Sequence, residues 1–136
     1  MNGEVLFVCR ENTGRSQVAM SYYNAFMPDM ADSAGTQVFN AHQNVGEQPE
    51  ADGVIEALKA DGFDISYNKR KQVTEEMLPL FDRVIIMAEP HTVQDWLHQW
   101  ETATYWSIPD LKGVSLKTAL EIRNLIRDRV YELLWD

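Results

Sequence analysis

The chain has 136 residues, 45% of them hydrophobic and 24% charged, which suits one globular domain over residues 1–136 with a single core. Its net charge of −9 argues against nucleic acid or an anionic membrane as the main partner, because both require a basic face, and no apolar stretch approaches the ~20 residues that cross a bilayer. Cys9 is the only cysteine, which excludes an internal disulfide and zinc held by clustered thiolates and favours the reducing cytoplasm.

Apolar runs alternate with helical patterns through the first half of the chain. Residues 4–8 are the first strand candidate, and apolar side chains at three- and four-residue spacing predict a helix from Ser16 to about Phe26. A short strand over 30–34 leads into a long loop over 37–49, and long loops in compact domains are often functional. A second helix is predicted from Pro49 to about Ala60.

The second half continues the alternation. Residues 63–73 are irregular and carry Lys69-Arg70-Lys71, which we interpret as a solvated basic patch able to steer an anionic substrate. The strongly apolar run Arg83–Met87 predicts a strand buried on both faces of a parallel sheet. The other predicted elements of this half are a helix start at Thr74–Met77, a helix from Glu89 to about Gln99, a strand at Ala103–Trp106, a loop over 107–113 and a closing helix at Ser115–Leu134.

Four strands that alternate with helices predict an α/β fold, in which an open parallel sheet is covered by helices on both sides. The ligands of such folds bind beyond the carboxyl ends of the strands. Four residues fall near those ends, namely Cys9, Thr36, Ala88 and Asp110. We therefore expect them to share one rim of the sheet.

The run Cys9–Ser16, called here the oxyanion loop, carries the strongest functional signal. It brings a thiol to the end of a strand and an arginine to the start of a helix, so its N–H groups and the positive helix end form a nest for a tetrahedral anion. The same dipoles favour a nucleophilic thiolate at Cys9. Arg15 offers a planar fork for two oxygens of the anion, and Ser16 can donate a hydrogen bond to the thiolate.

The remaining residues of the loop give it its shape. Asn12 tolerates a left-handed backbone and bonds to nearby amides, while Gly14 relieves crowding where the loop turns into the helix. Arg10, Glu11 and Thr13 complete the loop.

Asp110 is the best candidate for a general acid, because it lies in a proline-bearing loop after the last strand. The alternative interpretation is a turn aspartate after Pro109. We interpret the three histidines as solvated or structural, since none has convincing metal-site spacing with a carboxylate. No metal or other cofactor is therefore predicted. The histidines are His42, His91 and His98.

These residues resemble the signature of the low-molecular-weight protein tyrosine phosphatase superfamily, which includes the thiol-coupled arsenate reductases. The family's Cys-x5-Arg-Ser motif is present as the oxyanion loop, and the resemblance covers nearly the whole chain. Further similarity lies at Ser33–Thr36, at Ala57–Ser66 and at Phe81–Met87, and Asp110 falls where the family keeps its general acid.

The resemblance implies a single three-layer domain with a four-stranded parallel sheet flanked by helices. It also implies that Cys9 is the nucleophile, that Arg15 binds the oxyanion, and that Asp110 acts as acid and then as base. Phe39 is a possible wall of the substrate pocket.

The chain differs from the family's phosphatases at several of these positions. Glu11 stands where they have glycine, and Gly14 stands where they have a second cysteine. Leu111-Lys112, rather than proline and tyrosine, follows Asp110. The segment Asn12–Gln17 is closer to the arsenate reductase branch. Because no thiol follows the third strand, arsenate reduction would require an external thiol such as glutathione or mycothiol.

Three functional hypotheses follow from the sequence. The first is a phosphomonoester hydrolase, of the protein tyrosine phosphatase kind, that acts through a cysteinyl-phosphate intermediate. The second is an arsenate reductase that uses an external small-molecule thiol to resolve the Cys9 adduct. The third is a non-catalytic oxyanion-binding module. The expected partners are thus a phosphate-bearing or arsenate substrate and, in the second case, a thiol.

Overall fold

A computed structural model describes residues 3–135 of the chain. Its centre is a four-stranded sheet in the order β2-β1-β3-β4, and every neighbouring pair of strands is parallel. Parallel neighbours cannot be joined by tight hairpins, so helical crossovers connect them. The strands are β1 (Val5–Cys9), β2 (Ala31–Gly35), β3 (Arg83–Ile86) and β4 (Ala103–Tyr105).

Helices flank the sheet and complete the single α/β domain that the sequence predicts. The α-helices are α1 (Arg15–Phe26), α2 (Asp52–Lys59), α3 (Asp95–His98) and α4 (Leu116–Leu134), and 3₁₀ turns lie at Val45–Glu47, Glu75–Leu80 and Pro90–Thr92. Both α1 and α2 pack against α4. No helix among residues 3–135 combines the length and the apolar character that crossing a membrane requires.

The central strand β1 is buried on both faces, which explains its five consecutive apolar residues. Successive side chains of a strand point to opposite faces. Val5, Phe7 and Cys9 join the core that α1, α2 and α4 cover. Leu6 and Val8 join the core on the other face, under α3 and the 75–80 turn. The three layers follow from this double burial.

The prediction of one helix from Glu89 to about Gln99 is wrong. The structure has a 3₁₀ turn and then α3, separated by extended backbone at Val93 and Gln94. Gln94 Nε2 donates to the carbonyl of Thr36 at 2.9 Å, and the hydroxyls of Thr92 and Thr36 lie 3.1 Å apart. These contacts with the end of β2 outweigh the local helical pattern.

The second helix begins three residues later than predicted, at Asp52. Its expected first residues, Pro49–Ala51, instead belong to a loop that leads from the Val45–Glu47 turn. Residues 48–50 of this loop border a cavity that Cys9 and Arg15 also line. The late start of α2 therefore supplies one wall of the candidate site.

Candidate active site

A cavity of about 270 Å³ opens beyond the carboxyl end of β1. It is bordered by the oxyanion loop, by residues 48–50 and by residues 110–112. Cys9 and Arg15 line it because one ends β1 and the other begins α1. Asp110 lines it from the loop after β4. The structure thus brings together the three residues that the sequence singles out for catalysis.

Asn12 is the centre of the oxyanion loop and has a positive φ of 56°, a backbone conformation that asparagine tolerates better than most residues. Its side chain is buried. The Oδ1 atom accepts a hydrogen bond from the N–H of Lys71 at 2.9 Å, so the Nδ2 atom must face the other way. There Nδ2 donates to Ser16 Oγ at 2.8 Å. The expected loop-shaping role thus has a structural basis in one hydrogen bond to a distant segment and one within the loop itself.

Ser16 connects this amide to the candidate nucleophile. Its Oγ lies 3.0 Å from Cys9 Sγ, and both side chains are buried. Because the serine oxygen already accepts from Asn12, its hydroxyl hydrogen is free to donate to sulfur. The result is a donor chain, from amide to hydroxyl to sulfur, that directs a hydrogen bond at the candidate nucleophile.

The backbone of the loop offers further donors. Within residues 3–135, no backbone hydrogen bond engages the N–H groups of residues 11–14. Gly14 approaches the loop after β4 so closely that an added Cβ would lie 3.0 Å from the Cβ of Leu111. The absence of a side chain at this position lets the two walls of the cavity meet. The loop therefore combines two features: its N–H groups make no backbone hydrogen bond, as an anion-binding nest requires, and its last residue before α1 packs closely against the opposite wall.

Arg15 is 3% exposed and is held by three residues from two segments, those that follow β3 and β4. Its Nη1 donates to the carbonyls of Met87 at 2.7 Å and Ile108 at 3.1 Å. Its Nη1 and Nη2 also contact the two carboxylate oxygens of Glu89 at 3.0 and 3.1 Å. Glu89 thus occupies the Nη1–Nη2 end of the guanidinium, whereas none of these hydrogen bonds uses Nε.

Sequence reasoning did not assign a role to Glu89. Its position just beyond the end of β3 was a signal that could have indicated such a role, because residues at the carboxyl ends of the strands share one rim with Cys9. Although burial opposes the charged form, hydrogen bonding to Glu89 and the negative charges of Cys9, Glu89 and Asp110 raise the pKa of Arg15 above its ordinary value. Conversely, the hydrogen bonds from Arg15 lower the pKa of Glu89. The pair is therefore ionised at neutral pH.

Asp110 is the exposed member of the site. Its Oδ1 lies 3.9 Å from Arg15 Nη2 and accepts a hydrogen bond from the N–H of Lys112 at 3.2 Å. The side chain is 53% exposed, so it stands at the rim of the cavity rather than at its floor. This position suits a group that exchanges protons with a leaving group or with water.

The outer part of the oxyanion loop carries charged side chains. Glu11 Oε2 lies 3.3 Å from Lys112 Nζ, so an ion pair bridges the two walls of the cavity. Arg10 Nε donates to Gln37 Oε1 at 3.1 Å. Thr13 Oγ1 donates to the carbonyl of Glu11 at 3.3 Å. The rim of the cavity is therefore polar.

The structure does not bring Phe39 into this cavity. Its side chain is 70% exposed, and its neighbour Asn40 lines the cavity instead. Asn40 has a positive φ of 53°, so the backbone turns between the two positions. No aromatic side chain lines the cavity in the part of the chain that the structure describes.

The interpretation of Lys69-Arg70-Lys71 as a solvated patch is wrong for Arg70. Lys69 is exposed, but the Arg70 side chain is buried and its guanidinium contacts the oxyanion loop. No local feature of the sequence distinguishes this arginine from the two lysines that flank it. The three histidines are exposed, and no cluster of metal-binding side chains occurs among the described residues.

Comparison with known proteins agrees with this geometry. The model of the low molecular weight phosphotyrosine protein phosphatase family matches residues 4–134. The chain belongs to this family. That assignment confirms the predicted superfamily and the prediction of an enzyme.

The proteins that this phosphatase-family chain resembles in sequence or in fold include a phosphatase and two proteins described as arsenate reductases. A putative arsenate reductase of Halobacterium salinarum is 28% identical, over 93% of this chain and 87% of that protein. The low molecular weight protein tyrosine phosphatase of T. tengcongensis has a TM-score of 0.81 at 24% identity, and covers 97% of each chain. A thioredoxin-dependent arsenate reductase of Corynebacterium glutamicum has a TM-score of 0.70 at 24% identity, over 98% of this chain and 60% of that one.

Proposed function

We propose that this protein hydrolyses phosphate monoesters through a cysteinyl-phosphate intermediate. The observation that carries this proposal is the convergence of one supported thiol, one fork-shaped cation and one exposed carboxyl group on a single cavity. These three groups are sufficient for hydrolysis without a second thiol. The chain has no second thiol to offer.

In the first step, the Cys9 thiolate attacks phosphorus and the bond from phosphorus to the ester oxygen breaks. Asp110, as the carboxylic acid, gives its proton to the departing oxygen. The Nε–Nη2 edge of Arg15 and the free N–H groups of the oxyanion loop hold the oxygens of the transferring group, where charge accumulates.

In the second step, water attacks the cysteinyl phosphate. Asp110, now a carboxylate, takes a proton from this water, and the bond between sulfur and phosphorus breaks. Inorganic phosphate leaves and the thiolate is restored, with Ser16 donating to it. The exposed position of Asp110 allows both roles, because the leaving group and the water approach from the open side of the cavity.

The second candidate function is arsenate reduction with an external thiol. It is favoured by the cavity, which has no aromatic wall for an aryl ester among the described residues, and by the Halobacterium salinarum relative. Arsenate would condense with the Cys9 thiol with loss of water. An external thiol would then attack the Cys9 sulfur, so that the sulfur–arsenic bond breaks, its electron pair reduces arsenic from the pentavalent to the trivalent state, arsenite leaves and a mixed disulfide forms. A second external thiol would release the Cys9 thiol, and the two external thiols would end as a disulfide.

A paired assay on the wild type and on C9S tests these proposals. Turnover of 4-nitrophenyl phosphate that disappears in C9S supports hydrolysis. Arsenate-dependent NADPH consumption coupled through glutathione or mycothiol, without aryl phosphate turnover, would contradict hydrolysis and support reduction. Phosphate binding without either activity would contradict both proposals and support a non-catalytic oxyanion-binding module. Circular dichroism spectra that coincide for the two proteins exclude unfolding as the cause of any loss.

A further inference from the structure

Arg70 is a buried cation that none of the proposed chemical steps uses. Its side chain is 1% exposed and is among the largest that are fully buried in the described chain. Within residues 3–135, no carboxylate forms an ion pair with it. Burying a charged side chain without an ionic partner is costly, so the interactions that Arg70 does make need a functional explanation.

All of its side-chain hydrogen bonds go to two loops beside the cavity. Nε donates to the carbonyl of Glu11 at 3.2 Å and to Thr13 Oγ1 at 3.0 Å. Nη1 donates to the carbonyl of Phe39 at 3.0 Å. The backbone of Arg70 is itself anchored, because its N–H donates to Gln43 O at 3.0 Å. One rigid guanidinium thus connects the oxyanion loop with the loop after β2.

These contacts control which groups of the oxyanion loop face the cavity. Arg70 does not line the cavity, so the Glu11 carbonyl that bonds to it is directed away from the anion site. A carbonyl oxygen that turned inward would repel an oxyanion. Because the peptide unit is planar, fixing this carbonyl also fixes the orientation of the Glu11–Asn12 peptide.

The charge of Arg70 acts in the same direction. Burial lowers the pKa of Arg70, while the negative charges of Glu11 and Cys9 oppose that shift. Electrostatic interaction between two groups is mutual, so a positive Arg70 attracts an anion bound in the site. Its principal electrostatic partners are therefore in the site rather than in an ion pair.

We propose that Arg70 is a positioning residue for oxyanion binding, which holds the outer face of the oxyanion loop so that its donors are arranged before the anion arrives. This inference rests on the proposed function, because it assumes that the loop binds the phosphoryl group. Preorganised donors are effective because no reorganisation is needed when charge develops.

The test measures binding of inorganic phosphate to the full chain by calorimetry, together with thermal unfolding. In R70M, we expect the dissociation constant for phosphate to rise roughly ten- to a hundredfold, by analogy with the loss of a side chain that orients metal ligands. In R70K, which keeps the charge but not the planar fork, we expect a smaller rise. The kcat of R70M should fall together with its phosphate affinity.

R123M is the matched control. Arg123 is also a largely buried arginine, at 8% exposure, and it donates to the carbonyl of Ala57 at 2.7 Å, far along the chain from the oxyanion loop. We expect R123M to lower the unfolding temperature but to change the dissociation constant by less than about twofold, because it touches no group of the anion site.

The outcomes distinguish this inference from the proposed function. If R70M unfolds at a lower temperature but binds phosphate like R123M, Arg70 is merely structural and the inference is overturned. If R70M does not fold, R70K decides, and wild-type phosphate affinity in R70K overturns the inference. If the wild type itself binds no phosphate, the proposed function fails and the inference fails with it.

Discussion

The two loops that face each other across the cavity are built differently. In the oxyanion loop, the side chains of Asn12, Arg15 and Ser16 are buried and bonded to one another or to neighbouring segments. In the loop over 107–113, called here the acid loop, Asp110 is about half exposed. The side chains of the oxyanion loop are thus fixed by the fold, whereas the carboxyl group of the acid loop faces solvent.

The acid loop is nevertheless anchored through its backbone. Ile108 accepts a hydrogen bond from Arg15 at 3.1 Å, Leu111 is buried against Gly14, and the N–H of Gly113 donates to Glu50 O at 3.1 Å. The contrast therefore concerns side chains rather than the path of the chain. Under the proposed mechanism, this contrast predicts that binding of the transferred group is preorganised, while the contribution of Asp110 depends on the leaving group.

The largest expected effect comes from breaking the buried side with R15K. Lysine keeps the charge but loses the fork, and it cannot satisfy Glu89, Met87 and the anion together. We expect kcat/KM for 4-nitrophenyl phosphate to fall roughly 10³-fold, since removal of a single oxyanion donor from an enzyme lowers kcat by a factor of about 10²–10³. A loss below about tenfold, in a protein with wild-type circular dichroism, would show that the Arg15 fork is not part of the mechanism.

On the exposed side, D110N removes the proton donor. We expect kcat/KM, which reports the transfer of phosphorus to Cys9, to fall roughly 10²-fold with phenyl phosphate, whose leaving group needs protonation, and much less with 4-nitrophenyl phosphate, whose leaving group does not. Steady-state kinetics with the two esters measure both losses, and their ratio shows how strongly the role of Asp110 depends on the leaving group. Equal losses with both esters would mean that Asp110 acts through charge or binding rather than as an acid.

S16A tests how far the donor chain supports the thiolate. Loss of a hydrogen bond to a charged group is expected to slow alkylation of Cys9 by iodoacetamide at neutral pH about tenfold. S21A is the control, because Ser21 lies on the same helix but its hydroxyl donates to Gln17 O at 2.8 Å. Equal alkylation rates in S16A and S21A would remove Ser16 from the activation of Cys9.

The smallest expected effect is that of E89Q on stability. Arg15 lowers the pKa of Glu89 from its ordinary 4.5, so the carboxylate stabilises the fold above pH 4.5, and this contribution is lost as the pH falls through the lowered pKa. Urea titrations should give a difference of ~1 kcal/mol from wild type at neutral pH, reduced by solvent screening of the partly exposed carboxylate. The difference should fade in acid.

E101Q serves as the reference for this measurement, because Glu101 is an exposed carboxylate. We expect it to change the unfolding free energy little at either pH. If the difference between wild type and E89Q stayed constant from neutral pH into acid, ionisation of Glu89 would not be its cause.

Much of the fold could be predicted because its signals are local. The unbroken apolar run at residues 5–9 indicates a strand buried on both faces, and the spacing of apolar residues indicates α1 and α4. The helix predicted after β3 failed for a specific reason. Thr92 and Gln94 bond to Thr36, 56 and 58 positions away, and no short window of sequence contains that information.

The candidate site shows the same difference between local signals, which the sequence contains, and contacts between distant segments, which it does not reveal. The sequence by itself determined that a thiol, a loop of donors and an arginine lie together, because a strand, a tight loop and a helix bring Cys9 and Arg15 to one place. Only the tertiary structure decided what holds them. Glu89 is 74 positions from Arg15, and Arg70 is 59 positions from Glu11. Such pairings depend on how the crossovers bring distant segments together, so a buried arginine and a solvated one look alike until the chain is folded.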